Sequence, residues 1–295
     1  MKLSDIAELL LLAGLWGGSF LLMRIAAPVL GPIWLIEIRV LMAGLMLLPI
    51  LVRMKLLETL RQYLAPLLVV GAINSAIPFV LYAYAALSLP AGFTSILNAT
   101  APLFGTVVAA IWLQERPTSA RLLGFGLGFV GVVILIGWQT DITATPAFLI
   151  SVVAGLFAAV MYAIGAPFIK LHLSDVHPLI VTTGSQLSAA LLLLPAVPFT
   201  VPTQEMTLQV AIATVILAVF STAFAYILYF RLIRNIGSTK ALTVTYLIPM
   251  FAMLWGALVL QEVITVSMVV GCGFVLVGTA IANDVLAGFL FPKAR

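Results

Sequence analysis

Asn74, Pro78 and Tyr82 recur every four residues, a spacing that sets all three on one face of a helix. Asn98 stands one turn before Pro102, and Thr245 stands one turn before Pro249. A proline leaves the carbonyl four residues earlier without its usual donor. Inside a bilayer such a carbonyl is tolerated best beside a water-filled cavity. Trp16, Phe79, Tyr82, Tyr226, Tyr246 and Trp255 present ring faces on which another ring stacks or an ammonium rests. The chemistry these types offer is recognition rather than reaction. The candidate binding set is Trp16, Ser19, Asn74, Pro78, Phe79, Tyr82, Asn98, Pro102, Tyr226 and Tyr246. The plainer account of Asn98 or Thr245 is a hydrogen bond between neighbouring helices worth about 0.6–2 kcal/mol, and aromatic residues in spans also serve as packing and interface belts.

Glu37 and Arg39 are the candidates for gating or coupling. Two residues apart on a helix, they point to different faces and need partners elsewhere; Arg24 is one geometric option for Glu37. The cluster reads either as structural charge near one mouth, or as Arg39 anchoring a substrate carboxylate with Glu37 titrating. The first span has no carboxylate deep inside it, which leaves Glu37 as the intramembrane proton carrier if there is one. Facilitated diffusion needs none.

Catalysis finds little support. The single Cys272 lies in an apolar run, so there is no disulfide framework and no cysteine-rich metal site. His172 and His177 share one loop, and no metal-ligand cluster, Walker loop or nucleophile motif stands in the apolar segments. No metal and no cofactor are expected. An intramembrane enzyme and a purely structural membrane protein are the readings of a different class, and the second gives no reason for polar residues at mid-depth in both halves.

The elements that must position these residues follow from composition. Of 295 residues 63% are hydrophobic and 8% charged, against roughly a quarter charged in soluble domains. Most of the chain therefore has lipid as its solvent. The net charge of +4 comes from basic residues scattered singly between apolar runs, which fits membrane topology rather than nucleic acid. A bilayer core about 30 Å thick takes roughly 20 apolar residues as a helix. Ten spans satisfy this: Ile6–Ala26, Ile33–Val52, Tyr63–Leu87, Ala91–Leu113, Ser119–Trp138, Pro146–Ile169, Pro178–Ala196, Thr207–Phe230, Ser238–Leu260 and Thr265–Ile281. The first reads as a retained helix rather than a cleaved signal peptide. Lys2, Arg53, Lys55, Arg61, Arg116, Arg121, Lys170, Arg231, Arg234, Lys240, Lys293 and Arg295 all fall at one set of ends and loops. The other set carries Asp141, Glu205 and Glu262 and no Lys or Arg. Both termini are therefore expected in the cytoplasm.

The chain writes its plan twice. Ala99–Thr118 and Tyr246–Thr265 share Pro102/Pro249, Phe104/Phe251, Gln114/Gln261 and Glu115/Glu262, 147 positions apart. Gly124, Gly126 and Gly131 meet Gly271, Gly273 and Gly278 at the same offset, while "AGLW" from Ala13 meets "AGLF" from Ala154 at 141. Each copy holds five spans, and an odd number inverts the second copy. Inverted repeats with a site between them are a recurrent plan for secondary transporters; a duplicated inert scaffold is the alternative. The glycines suit close helix approach. Thr118 and Thr265 suit helix capping, with Glu115 and Glu262 near the positive end of the helix that follows.

Trp16-Gly17-Gly18-x-Phe20, Pro32 followed by Arg39, and the Gln-Glu-x-x-Thr with its glycine-rich helix in both halves together resemble the EamA type of the drug/metabolite transporter superfamily. The resemblance covers nearly the whole chain. Gln114 and Gln261 depart from it, since the family often has Gly there. It implies an all-α polytopic membrane protein of ten transmembrane helices in two inverted five-helix repeats, residues 1–140 and 141–295. It also implies export of small metabolites from the bacterial cytoplasm across the inner membrane. Amino acids, aromatic ones included, come first, and nucleobases, sugars or drug cations are the alternative. The expected partners are a small-molecule substrate and the lipid bilayer, without nucleic acid, for a monomer or weak homo-oligomer.

Overall fold

A computed structural model describes residues 2–112, 114, 118–137 and 145–283. All regular structure among them is helical. Eight helices are long and apolar enough to cross a membrane: α1 (Leu3–Leu30), α2 (Pro32–Arg53), α3 (Leu64–Ala85), α4 (Ala91–Trp112), α5 (Ser119–Gly137), α6 (Pro146–His172), α7 (Pro178–Phe199) and α8 (Leu208–Ile236). Two shorter apolar helices follow, α9 (Val244–Leu260) and α10 (Val266–Ala282). The ninth span was expected from Ser238. Instead, Ser238–Ala241 forms one separate turn of helix, and α9 starts after a break at Leu242–Thr243. Leu113, Glu115, Arg116, Trp138, Asp141, Lys293 and Arg295 lie outside the described residues.

Helix starts are written locally. Thr145, Thr207 and Thr265 each cap a helix, their hydroxyls accepting from Phe148 N at 3.2 Å, Val210 N at 3.3 Å and Met268 N at 3.2 Å. Pro32, Pro146 and Pro178 occupy the first helical position, where no N–H is needed. Leu45, Phe129, Val153 and Leu258 are exposed, among many large apolar side chains. In water such a surface would aggregate; in a bilayer it is the lipid face.

Two irregularities recur at the 147-residue offset. The ladder of α3 widens to i→i+5 bonding over Ala72–Ala76, and that of α8 does so over Val219–Phe224. In α3 the cause is Pro78, which has no N–H for the Asn74 carbonyl. No proline follows the second widening; there the Thr222 hydroxyl donates to the Leu217 carbonyl at 2.9 Å across the widened turn. The second recurrence is Gln114 and Gln261, left-handed at φ 55° and 56°. These are the positions where the sequence departs from glycine, so the backbone bend is kept at a cost of about 1 kcal/mol or more each.

α5 and α10 pack through their glycines, and the contacts are reciprocal. A methyl added at Gly124 would lie 2.5 Å from the Gly278 carbonyl oxygen, and one added at Gly278 would lie 2.5 Å from that of Gly124. Gly131 and Gly271 repeat this at 2.8 Å in both directions. Only glycine lets the two backbones approach so closely.

Candidate functional site

A cavity of about 320 Å³ lies among the helices, walled by α1–α4, α6 and α8–α10. Of the residues expected to bind, Trp16, Ser19, Asn74, Phe79, Asn98, Pro102, Tyr226 and Tyr246 line it. Pro78 and Tyr82 do not. The widened turn of α3 is the reason. With an extra residue in that turn, the side chain that follows Asn74 onto the cavity is Phe79, five positions on, rather than Pro78. Ser221 and Tyr226 keep the same five-residue step across the widened turn of α8. Tyr82 stands behind the wall, buried, its ring 5.8 Å from Phe20 and 5.9 Å from Tyr162. Trp255 is also outside the lining, where its indole N–H donates to the Gly14 carbonyl at 3.1 Å.

Phe20, Tyr162, Tyr229 and Thr279 also line the wall and were not in the expected set. Tyr162 carried a signal, an aromatic ring midway along the sixth span. The candidate binding residues fall in the first, third, fourth, eighth and ninth spans, so α2, α6 and α10 are additions to the wall. Repeat-related positions meet here: Asn74 with Ser221, Phe79 with Tyr226, Asn98 with Thr245, and Ala99 with Tyr246 all face the one cavity. The rings brace one another, Trp16 lying 5.2 Å from Tyr229 and 6.2 Å edge-on from Tyr226.

Arg39 reaches the cavity and is 5% exposed. Its Nε–H donates to Thr222 Oγ1 at 2.9 Å, and its guanidinium lies 3.8 Å over the ring of Phe79. Among the described residues no carboxylate pairs with it. Glu37 is buried outside the lining, and its Oε2 has no hydrogen-bond partner. The option of an Arg24–Glu37 pair is not taken. Arg24 instead donates to the carbonyls of Ala86 at 2.7 Å and Leu87 at 2.8 Å.

The positional counterpart of Arg39 is Gln186 on α7, and that of Thr222 is Ser75 on α3. Gln186 Nε2 donates to Ser75 Oγ at 3.0 Å. Two clasps thus tie each half to the widened turn of the other. Gln186 is fully buried and does not line the cavity.

The two ends of α9 differ. A vestibule of about 600 Å³ shares Ala101, Pro102, Tyr162, Thr245 and Tyr246 with the cavity and runs out past Arg121 and Lys170. At the far end of α9 from Thr245 and Tyr246, outside the cavity lining, Glu262 latches α4 to α1. Its Oε2 accepts from the Ala91 N–H at 3.0 Å, and its Oε1 lies 3.7 Å from Arg24 Nε. The acid therefore caps α4, not the α10 that follows it; Thr265 caps α10 alone. Gly256 gives the carboxylate room, since an added methyl would collide with Oε2. Burial pushes the Glu262 carboxyl above its ordinary value, and the Ala91 N–H and Arg24 pull it only partly back.

No group of three or more His, Cys, Asp or Glu suited to a metal occurs among the described residues. The cavity offers hydrogen bonds, aromatic faces and one guanidinium.

A family model, the EamA-like transporter family, matches residues 6–137 and again 149–283. The chain is 24% identical over 265 residues to an uncharacterized transporter of Archaeoglobus fulgidus, covering 89% of this chain and 92% of the relative. It is 26% identical over 288 residues to protein PecM of Dickeya dadantii, covering 97% and 93%. It is 21% identical over 278 residues to an S-adenosylmethionine/S-adenosylhomocysteine transporter of Chlamydia trachomatis, covering 90% and 85%. One solved crystal structure superposes with a TM-score of 0.68 at 18% identity, over 99% of this chain and 100% of that one; that likeness concerns the fold.

Proposed function

The chain belongs to the EamA-like transporter family, and on that premise we propose that it exports small metabolites, amino acids foremost and aromatic ones among them, by alternating access. As a multi-pass membrane protein it would sit in the bacterial inner membrane. Its ten spans would form two inverted five-helix repeats, residues 1–140 and 141–295, with both termini cytoplasmic. The reciprocal glycine contacts, the exchanged clasps and the paired widened turns support the inversion. The Lys and Arg asymmetry supports the orientation.

The observation that carries the reading is the cavity itself. It lies where repeat-related residues face each other and leads into a vestibule at the Lys- and Arg-rich end. Substrate would enter there, settle against the rings and Asn98, and leave once the Arg24–Glu262–Ala91 latch opens at the other end. An amino acid has an ammonium for the ring faces and an apolar body for Trp16 and Phe20. The substrates in the chlamydial relative's name carry an amino-acid group, which supports amino acids, and an adenosyl group, which keeps nucleobases as the alternative. Transport runs down the substrate gradient, with Glu37 the group to test for proton coupling.

Counterflow in proteoliposomes across labelled amino acids, nucleobases and sugars tests this. Saturable flux of amino acids is expected, reduced in Asn98→Ala at normal folding. Flux confined to nucleobases or sugars rejects the substrate class, and no flux of any compound rejects transport through this cavity. A Glu37→Gln variant that abolishes a response to an imposed pH gradient would overturn the passive mode.

A further inference from the structure

The two clasps make the same hydrogen bond with different side chains. Gln186 shows that a neutral amide suffices to hold the hydroxyl of a widened turn. At the equivalent place the other half carries a guanidinium, and what Arg39 adds is charge. That charge belongs to a residue only 5% exposed, with no carboxylate partner among the described residues. Nε is engaged by Thr222 at 2.9 Å; among the described residues its further contacts are the weak acceptor Met23 Sδ, 3.9 Å from Nη1, and the ring face of Phe79. A guanidinium has five N–H donors in a planar fork that matches a carboxylate. A buried, uncompensated charge is strongly unfavourable and is retained where it meets an opposite charge in use. Among the described residues no Asp or Glu lines the cavity, so no carboxylate there pairs with a cationic substrate group.

We propose that the cavity is a site for organic carboxylates, with Arg39 binding the carboxylate and Trp16, Phe20 and Phe79 receiving an apolar or aromatic body. An α-ammonium is dispensable to this site. Amino acids bind through their carboxyl end, desamino acids of the same shape bind at least as well, and the corresponding amines are rejected. This rests on transport through the same cavity, and it sets the charge that the substrate must carry.

The test compares 3-phenylpropanoate, phenylalanine and phenethylamine, measured by equilibrium binding to the purified full chain and by counterflow in proteoliposomes. Both carboxylates are expected to bind, the desamino acid no more weakly than phenylalanine, and the amine at least tenfold more weakly than either. Arg39→Gln, which can keep the clasp as Gln186 does, is expected to weaken both carboxylates at least tenfold at an unchanged melting temperature. Arg39→Lys keeps the charge and is expected to keep the preference for acid over amine, so a misfolded Gln variant does not shelter the idea. Equal binding of amine and acid, full carboxylate affinity in Arg39→Gln, or no binding of either carboxylate overturns the anchor. Flux of other, uncharged compounds in that event would leave the transporter reading standing.

Discussion

Arg39 and Gln186 hold equivalent positions in the two halves, and each donates one hydrogen bond to a hydroxyl in the widened turn of the opposite half, at 2.9 Å and 3.0 Å. Their surroundings then diverge. Arg39 borders the cavity and covers the ring of Phe79, whereas Gln186 is sealed in the core with Oε1 left without a hydrogen-bond partner. Duplication kept the geometry of the joint and let its chemistry drift. Features present in both halves, the clasp bond, the widened turns and the glycine crossing, serve the scaffold. A feature present in one half only, the charge, is the place to look for a task that only one site performs.

Exchanging the two side chains tests that division most severely. In the double variant Arg39→Gln/Gln186→Arg both clasps can still form, but the charge moves to a fully buried position away from the cavity. An unpaired buried charge costs about 3–5 kcal/mol, so folded yield is expected to drop sharply and counterflow to vanish. Normal yield with retained flux would mean that the charge has no preferred half.

The glycine crossing should respond alike from either side, because its contacts are reciprocal. Gly124→Ala and Gly278→Ala each push a methyl group to 2.5 Å from a carbonyl oxygen of the other helix. Overpacking of this kind costs about 1–3 kcal/mol, read as a lowered melting temperature in detergent. The two losses are expected to match, and a loss confined to one variant would show that the halves are not equivalent there. Gly126 and Gly273, with open space beside them, should accept alanine freely.

Removing the hydroxyls separates scaffold from charge more gently. Ser75→Ala and Thr222→Val each delete one clasp bond, worth about 0.5–1.5 kcal/mol, so stability should fall similarly in both. Thr222→Val also frees Arg39 Nε, and its flux should drop well below that of Ser75→Ala. Equal flux in the pair would detach Arg39 from transport.

How far the sequence reaches can be judged residue by residue. The apolar helices lie close to where hydropathy puts them, with ends shifted by a few residues: α1 runs on to Leu30 where the apolar count stopped at Ala26. Length and apolarity are local properties, and the chain states them outright. Helix faces depend on an unbroken 3.6-residue period, and the widened turn of α3 breaks it, which leaves Phe79 on the cavity and takes Pro78 and Tyr82 off it. Pro78 was a visible cause of that turn; the twin in α8 has no proline, only Thr222, and no local signal announced it. Which neighbour a face meets is set by packing across more than a hundred residues. For that reason the sequence left Arg39 between structural charge at one mouth and a carboxylate anchor, and only coordinates set its guanidinium at the cavity wall and brought Tyr162 there. The glycines were legible as packing residues because their spacing recurs, although the pairing of Gly124 with Gly278 needed coordinates.

The latch extends the comparison to the ends of the molecule, with the gentlest expected effect. Glu262 sits outside the spans, and burial in the latched state raises its proton affinity above that of a free carboxyl. Suppose that opening returns the group to water and to its ordinary value. The latched state then holds more protons than the opened one wherever the two titration curves differ. By linkage the free energy of opening falls as pH rises through that window and grows as pH falls. The groups facing the carboxyl, the Ala91 N–H and Arg24, oppose the shift without reversing it. A cysteine at Ser88, introduced with Cys272 replaced, should therefore react faster with an impermeant thiol reagent as pH rises, beyond the reagent's own pH dependence. Glu262→Gln can still accept from Ala91 but does not titrate, so its corrected profile should be flat. A profile that rises as steeply in the glutamine variant would place the pH response elsewhere in the chain and leave the latch a static tie.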